Sequence, residues 1–340
     1  MQTKSLQQLR RALSAALFVL LLSLVGMKNA LAQNQVATLQ HNETITQVFY
    51  GPDAFISAHN AAVNGDIITL SSGTFNNCTI LEKAITINGA GCVYDTLTQV
   101  MPTIIPGTLN LYCNNISFEG IWFSGEIQIN NNSICFKKCN INTLKNLGDY
   151  GRNGIQIMNC IINWCYSNNF VGTTIINSFV RYMGYSHSNA YLPNSIYNSV
   201  IIFNVNLPIT NIMAYNSIIL TLSGHTVSNC AFYNCIEIKG GDTSYLFEGQ
   251  IAQNVMEVDN WEDVFEHFHG EVTFDNVYQL KEEIATSFLG NDGTEVGIYG
   301  GMMPYRTRPN YMIVKNCNVA GRTTEDNKLS VEIELLNEGE

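Results

Sequence analysis

Three groups of residues in this chain are of types that do chemistry. The first is acidic and carries two histidines: Glu257, Asp259, Glu262, Asp263, Glu266, His267, His269 and Glu271. On a strand His267 and His269 share a face, and two imidazoles with a carboxylate form a donor set for a divalent metal. The second group is Tyr197, Tyr215 and Tyr233, spaced 18 residues apart. An aromatic face with a phenolic hydroxyl suits a sugar ring, which has apolar C–H faces and polar edges. The third is Arg152 and Arg181, which lie in a stretch, Tyr150 to Ile236, that contains no Asp or Glu.

Carboxylates are missing where glycan chemistry would need them. Hydrolysis of a glycosidic bond requires two carboxylates flanking it, and a calcium-assisted lyase requires several oxygen ligands. The central stretch offers neither. Twenty acidic residues follow from Glu237 onward, and runs of like charge are usually solvated faces that keep a protein soluble. The expectation is therefore no metal centre, no cofactor and no catalytic residue that can be named.

The elements that position these residues are written as a repeat. Met-Asn-Cys at 158–160, Ile-Asn-Ser at 176–178, Tyr-Asn-Ser at 197–199 and 215–217, and Tyr-Asn-Cys at 233–235 are one phrase at intervals of 18 to 21 residues. Aligned on it, Cys139, Cys160, Ser178, Ser199, Ser217 and Cys235 form a small-residue column. Three positions earlier stand Phe136, Ile157, Ile175, Ile196, Ala214 and Phe232; four earlier are mostly small or polar residues. Alternation over short β-branched runs indicates strands, and a fixed period of this length indicates a solenoid. Each coil returns a strand to the same place about 4.8 Å up the stack. Asn tolerates the left-handed bend, and stacked Asn amides can bond from coil to coil. The residue two before the small column should face out, which makes Tyr197, Tyr215 and Tyr233 an outward strip. A register slip of one residue would bury them instead.

Around the repeat, residues 1–32 read as a signal peptide. Lys4, Arg10 and Arg11 precede an apolar run from Ala12 to Val25, and Ala30-Leu31-Ala32 is a small-x-small cleavage site. The mature chain is expected to be exported, to the periplasm, the outer surface or the medium, with no transmembrane segment. It carries a formal net charge of -11 before the basic leader is removed, which makes nucleic acid a poor partner. Pro52 to Gly65 reads as a helix, with Asp53 as its N-cap and Gly65 at its end. The ten cysteines are expected to be mostly small core thiols; Cys139 and Cys160 fall within bridging distance, whereas Cys230 and Cys235 cannot pair directly. Tyr311–Val319 and Leu329–Leu336 read as two strands. Asp292-Gly293 is a tight turn, and Asp95-Thr96-Leu97 is similar to a short bacterial O-glycosylation acceptor.

A helix followed by Asn-Gly-Asp-Ile-Ile-Thr-Leu (64–70), Gly-Thr-Phe (73–75) and Ile-Thr-Ile-Asn-Gly-Ala-Gly (85–91) resembles the opening of pectate-lyase-like right-handed β-helix proteins. Asn-Asp-Gly-Thr-Glu-Val-Gly-Ile-Tyr-Gly-Gly (291–301) is similar to the final-coil segment of uncharacterised secreted β-helix proteins. The resemblance spans roughly residues 50–304 and implies the fold more than the function, since one architecture hosts many chemistries. It implies an all-β, right-handed parallel β-helix with an N-terminal helical cap. The expected organisation is a signal peptide (1–32), a β-helix domain (33–304) and a C-terminal β element (305–340). The leading functional expectation is a non-catalytic module that binds carbohydrate or another extracellular ligand, with Tyr197, Tyr215 and Tyr233 as the contact residues. The alternatives are a divergent polysaccharide lyase or glycoside hydrolase, and a structural or adhesive surface protein.

Overall fold

A computed structural model describes residues 35–95, 100–146, 152–166, 170–184, 192–203, 208–222, 226–240, 246–267, 278–306, 313–319 and 331–336. The signal peptide, Thr96, His269 and Glu271 lie outside the described residues. The chain divides into a large unit ending at Tyr305 and a small one beginning at Arg306.

The large unit is a parallel β-solenoid. One sheet stacks Ile67–Leu70, Thr86–Asn88, Ser117–Glu119, Cys135–Lys137, Gln156–Met158, Thr174–Ile176, Asn194–Tyr197, Ile212–Tyr215, Ala231–Tyr233 and Ile251–Gln253, each strand parallel to the next. A second sheet runs beside it, from Gly73–Thr74 through Ile161–Tyr166 and Phe179–Gly184 to Met256–Val258. The strand pairs are the columns read from the sequence: Phe136 opposite Ile157, Ile157 opposite Ile175, Ile175 opposite Ile196. The inward column of Phe136, Ile157, Ile175, Ile196, Ala214 and Phe232 is fully buried, each residue at 0% exposure. Each large member contributes about 1.5–3 kcal/mol by leaving water. Phe118 stacks on Phe136 inside the stack with ring centres 5.3 Å apart.

The small column is small because it is a hydrogen-bond ladder. Ser178 Oγ donates to the Ile176 carbonyl at 2.7 Å and accepts the Cys160 N–H at 3.0 Å. Ser199 and Ser217 repeat the arrangement one and two coils on. A larger side chain would break a row in which Cys160, Ser178, Ser199 and Ser217 each accept the backbone N–H of the preceding coil. Nine of the ten cysteines, those from Cys78 to Cys235, are free thiols, six of them buried. Cys139 and Cys160 are coil neighbours in this column, with the Cys139 N–H 3.4 Å from Cys160 Sγ, and no bridge joins them.

The Asn column sits in the left-handed turn between the two sheets, at φ from 44 to 53 for Asn159, Asn177, Asn198, Asn216 and Asn234. Coil-to-coil amide bonding occurs elsewhere, from Asn229 to Asn211 and from Asn163 to Asn142. In the main column four of the five amides instead hold the segment 289–304, which runs back along the stack, while Asn198 Nδ2 is buried without a hydrogen-bond partner. Asn234 Nδ2 donates to the Leu289 carbonyl at 3.0 Å, and Asn216 Nδ2 to Asn291 Oδ1 at 2.9 Å. Asn177 Nδ2 reaches the Ile298 and Gly300 carbonyls at 2.9 and 2.7 Å, and Asn159 Nδ2 the Met303 and Pro304 carbonyls at 3.1 and 3.2 Å. This returning strap, with residues 261–265 and 278–280 ahead of it, buries Val264, Phe265, Tyr278, Leu280, Val296, Ile298 and Tyr305. They pack on the outward residues Ile161, Phe179, Val200, Ile218 and Ile236 of the second sheet. Gly297 shows why the strap is rich in glycine. Its φ is +89, its N–H donates to the Asn216 carbonyl at 2.8 Å, and a Cβ there would stand 2.9 Å from Ile218 Cδ1.

At the N-terminal end Val36–His41 pairs antiparallel with both Thr44–Tyr50 and Ile67–Leu70. The expected helix forms over Ala54–Ala61 (α1) and buries Ala54, Phe55 and Ala58. It is shorter than Pro52 to Gly65 because the chain turns extended at Ala62, with ψ 155. Asp53 makes no capping bond; its carboxylate accepts a 2.7 Å bond from Asn76 Nδ2 instead. A short second helix, Glu282–Ser287 (α2), precedes the strap. Asp292-Gly293 is a turn, closed by the Gly293 N–H on the Gly290 carbonyl and by Asp292 Oδ1 accepting the Thr294 N–H. The small unit contains the antiparallel pair Ile313–Val319 and Val331–Leu336, the two strands read from the sequence.

Candidate ligand-binding face

Tyr197, Tyr215 and Tyr233 occupy one column on the outer face of the first sheet, because Ile196, Ala214 and Phe232 beside them point in. All three are half-buried. The strand spacing sets the ring spacing: the centres are 5.1 and 4.9 Å apart and the planes are tilted by 7° and 9°. The rings therefore turn their flat faces to one another along the stack. They present edges and hydroxyls outward, so a ligand lying along the column meets a row of phenol edges.

The column continues in both directions. Met158 and Ile176 precede the tyrosines and Gln253 follows them. The neighbouring outward column is Ser195, Met213, Ala231 and Ile251. The face is mostly apolar, bears no charge over the three tyrosine coils, and carries one line of hydroxyls. Burial pushes the Tyr215 hydroxyl above its ordinary range, and the flanking Tyr197 and Tyr233 add to this. It therefore stays a neutral phenol, able both to donate and to accept, at any physiological pH.

Among the described residues the acidic candidates do not come together. Glu257 pairs with Lys239 Nζ at 2.5 Å. Asp259, Glu262, Asp263, Glu266 and His267 are exposed. The same segment turns Trp261, Val264 and Phe265 inward onto the second sheet. Among the described residues no three His, Cys, Asp or Glu are grouped to hold a metal ion. Of the two arginines, Arg152 lies in a two-residue strand paired with Phe170, and Arg181 lies on the strand Phe179–Gly184.

Two features went unread in the sequence. The Asn column and the glycine-rich segment 291–301 are two halves of one contact, and nothing local to either half signals the other. A second aromatic group, Trp164 and Tyr182, repeats at the same interval of 18 residues as the tyrosines, and that interval was the available signal.

No family model matches the chain, and no curated protein or solved structure matches it.

Proposed function

We propose that this chain is an exported, non-catalytic carbohydrate-binding β-helix of the pectate-lyase-like superfamily, with the column Tyr197, Tyr215 and Tyr233 as its contact strip. The observation that carries the reading is the outward tyrosine stack itself. It sets three identical phenol edges about 5 Å apart on an uncharged face of the sheet. That spacing is comparable to one sugar unit of an extended polymer. A row of hydroxyls above apolar ring edges matches the alternating polar and apolar character of such a chain. A strand-borne, interlocked row also loses little side-chain freedom on binding.

The test is a polysaccharide panel incubated with the mature protein from Gln33, with calcium present, followed by size exclusion. Co-elution with a polymer of unchanged length supports the reading, and the double variant Tyr215→Ala with Tyr233→Ala should then lose it. Shortening of any polymer would establish an enzyme in place of a binding module. Binding that survives the double variant would make the tyrosine stack a structural element only.

A further inference from the structure

We infer that the strand Thr44–Tyr50 is a self-association edge, at which a second copy of this chain lays its own Thr44–Tyr50 antiparallel to form a twofold dimer. The strand ends the first sheet. It pairs with Val36–His41 on one side, and among the described residues no strand pairs with its other side. Its seven residues therefore turn alternate N–H and C=O groups outward, a row that is hydrogen-bond complementary to another strand. The edge is also pre-organised. His41 faces Thr44 across the two-residue loop Asn42-Glu43, whose φ values of 45 and 64 are those of a tight hairpin turn.

The side chains are set for a partner as well. Ala37 and Leu39 point into the solenoid, so Val36, Thr38 and Gln40 point out, and so do their cross-strand partners Tyr50, Val48 and Ile45. Thr46 is the extra residue of a bulge opposite Leu39 and Gln40, and it brings Ile45 round to the face of Val48 and Tyr50. The bulge lies toward the hairpin end and leaves Gln47 to Tyr50 in regular register. Tyr50 is 66% exposed, Ile45 61% and Val48 43%. Three large apolar side chains on one face of an unpaired edge form a patch that a solitary chain leaves in water.

The other edges of the two large sheets are guarded by shortness or by charge, as edges usually are. Ile251–Gln253 has three residues, Met256–Val258 has three with Glu257 in the middle, and Gly73–Thr74 and Ile80–Leu81 have two each. Thr44–Tyr50 has neither guard, since no charged residue stands from Thr44 to Pro52. That selects the occupant. The chain carries a formal net charge of -11, so two copies repel one another, and a long uncharged edge is where they meet with least repulsion. A twofold dimer covers both copies' edges at once and leaves neither open for further growth. Pairing centred on Val48 puts residues opposite others of their own face: Val48 against Val48, and Gln47 against Phe49. One strand pair with its side chains is smaller than a standard interface, so the dimer should be reversible.

The edge shares no residue with the tyrosine strip, so this inference and the proposed function fail separately. The experiment is sedimentation velocity of the mature chain from Gln33 at about 1 to 200 µM, the range of a weak interface. The parent should pass from monomer to dimer across that range. Val48→Lys, which sets two like charges against each other at the twofold axis, should move the midpoint up by about tenfold or more, and Tyr50→Lys should move it in the same direction. Ile251→Lys, at the opposite end of the sheet, should leave it unchanged. Melting temperatures confirm that each variant is folded. Val48→Cys treated with diamide should give a covalent dimer, because directly opposed residues of antiparallel strands lie about 4.5–5.5 Å apart; Ile251→Cys should not. A monomer at every concentration overturns the inference, as does a dimer unaffected by Val48→Lys and Tyr50→Lys, or a Val48→Cys variant that does not cross-link. Growth beyond the dimer, or a dimer lost in Ile251→Lys, would mean head-to-tail stacking and overturns it too.

Discussion

Asn177 is the position at which the fold can be tested most sharply. Its side chain is 1% exposed, its backbone is left-handed at φ 44, and its amide satisfies two strap carbonyls, Ile298 at 2.9 Å and Gly300 at 2.7 Å. Asn177→Ala removes both bonds and puts a Cβ without a compensating polar group into left-handed backbone. The unsatisfied carbonyls cost about 1–3 kcal/mol, and the backbone about 1–2 kcal/mol more. Asn177→Gly removes the amide but keeps the left-handed conformation without strain, so it should cost only the hydrogen-bond part. The Ala variant should therefore be the less stable of the two, and both should be less stable than the parent by urea denaturation. Limited proteolysis adds a local readout: cleavage within 289–304 should speed up in both variants, because the strap loses one of its fixings. If Asn177→Gly matched the parent in stability and in strap cleavage, the amides would not hold the strap, and the reasoning for the whole column would fail.

Tyr215 stacks on two neighbours, so Tyr215→Ala should cost about 1–3 kcal/mol from lost ring contacts alone; a melting curve unchanged from the parent would show that the stack contributes nothing to stability. Burial pushes the thiols of Cys165 and Cys235 up to about 12, and that of Cys230 to about 11, from an ordinary 9.0. Above pH 9 the unfolded chain ionises these thiols while the folded chain keeps their protons, so stability should fall as pH rises from 9 toward 12, by about 1.4 kcal/mol per thiol per pH unit. Urea midpoints at pH 8 and 10 measure this, Cys165→Ala should fall less than the parent, and unfolded, unreduced protein should titrate for ten thiols. At the N-terminal end, burial by itself raises Asp66, but the Val63 N–H at 2.8 Å and His41 at 2.6 Å outweigh it and hold the carboxyl below its usual 3.8. Its contribution is complete above that value and is lost as pH falls through the depressed one; Asp66→Asn should be less stable at pH 7 and should lose stability less steeply in acid, as read from denaturation at pH 7 and pH 3.

The sequence by itself determined the solenoid, its strand columns and its inside and outside. Those follow from a period of side chains that must alternate across a strand and stack from coil to coil, and Ile196 beside Tyr197 states both at once. It also determined the left-handed turn, because Asn is one of the few residues that enters that backbone region cheaply. Only the tertiary structure decided what the Asn side chains do, since their partners in 289–304 lie up to 145 residues away in the chain. It likewise decided that the tyrosine rings spend their faces on one another, because plane orientation depends on the packing of adjacent coils. The placing of Arg181 and Tyr182 together outside the solenoid was hidden for a related reason. A strict alternation would have sent one of them inward, and it is the bend of the coil, a property of the closed stack, that turns both to the surface.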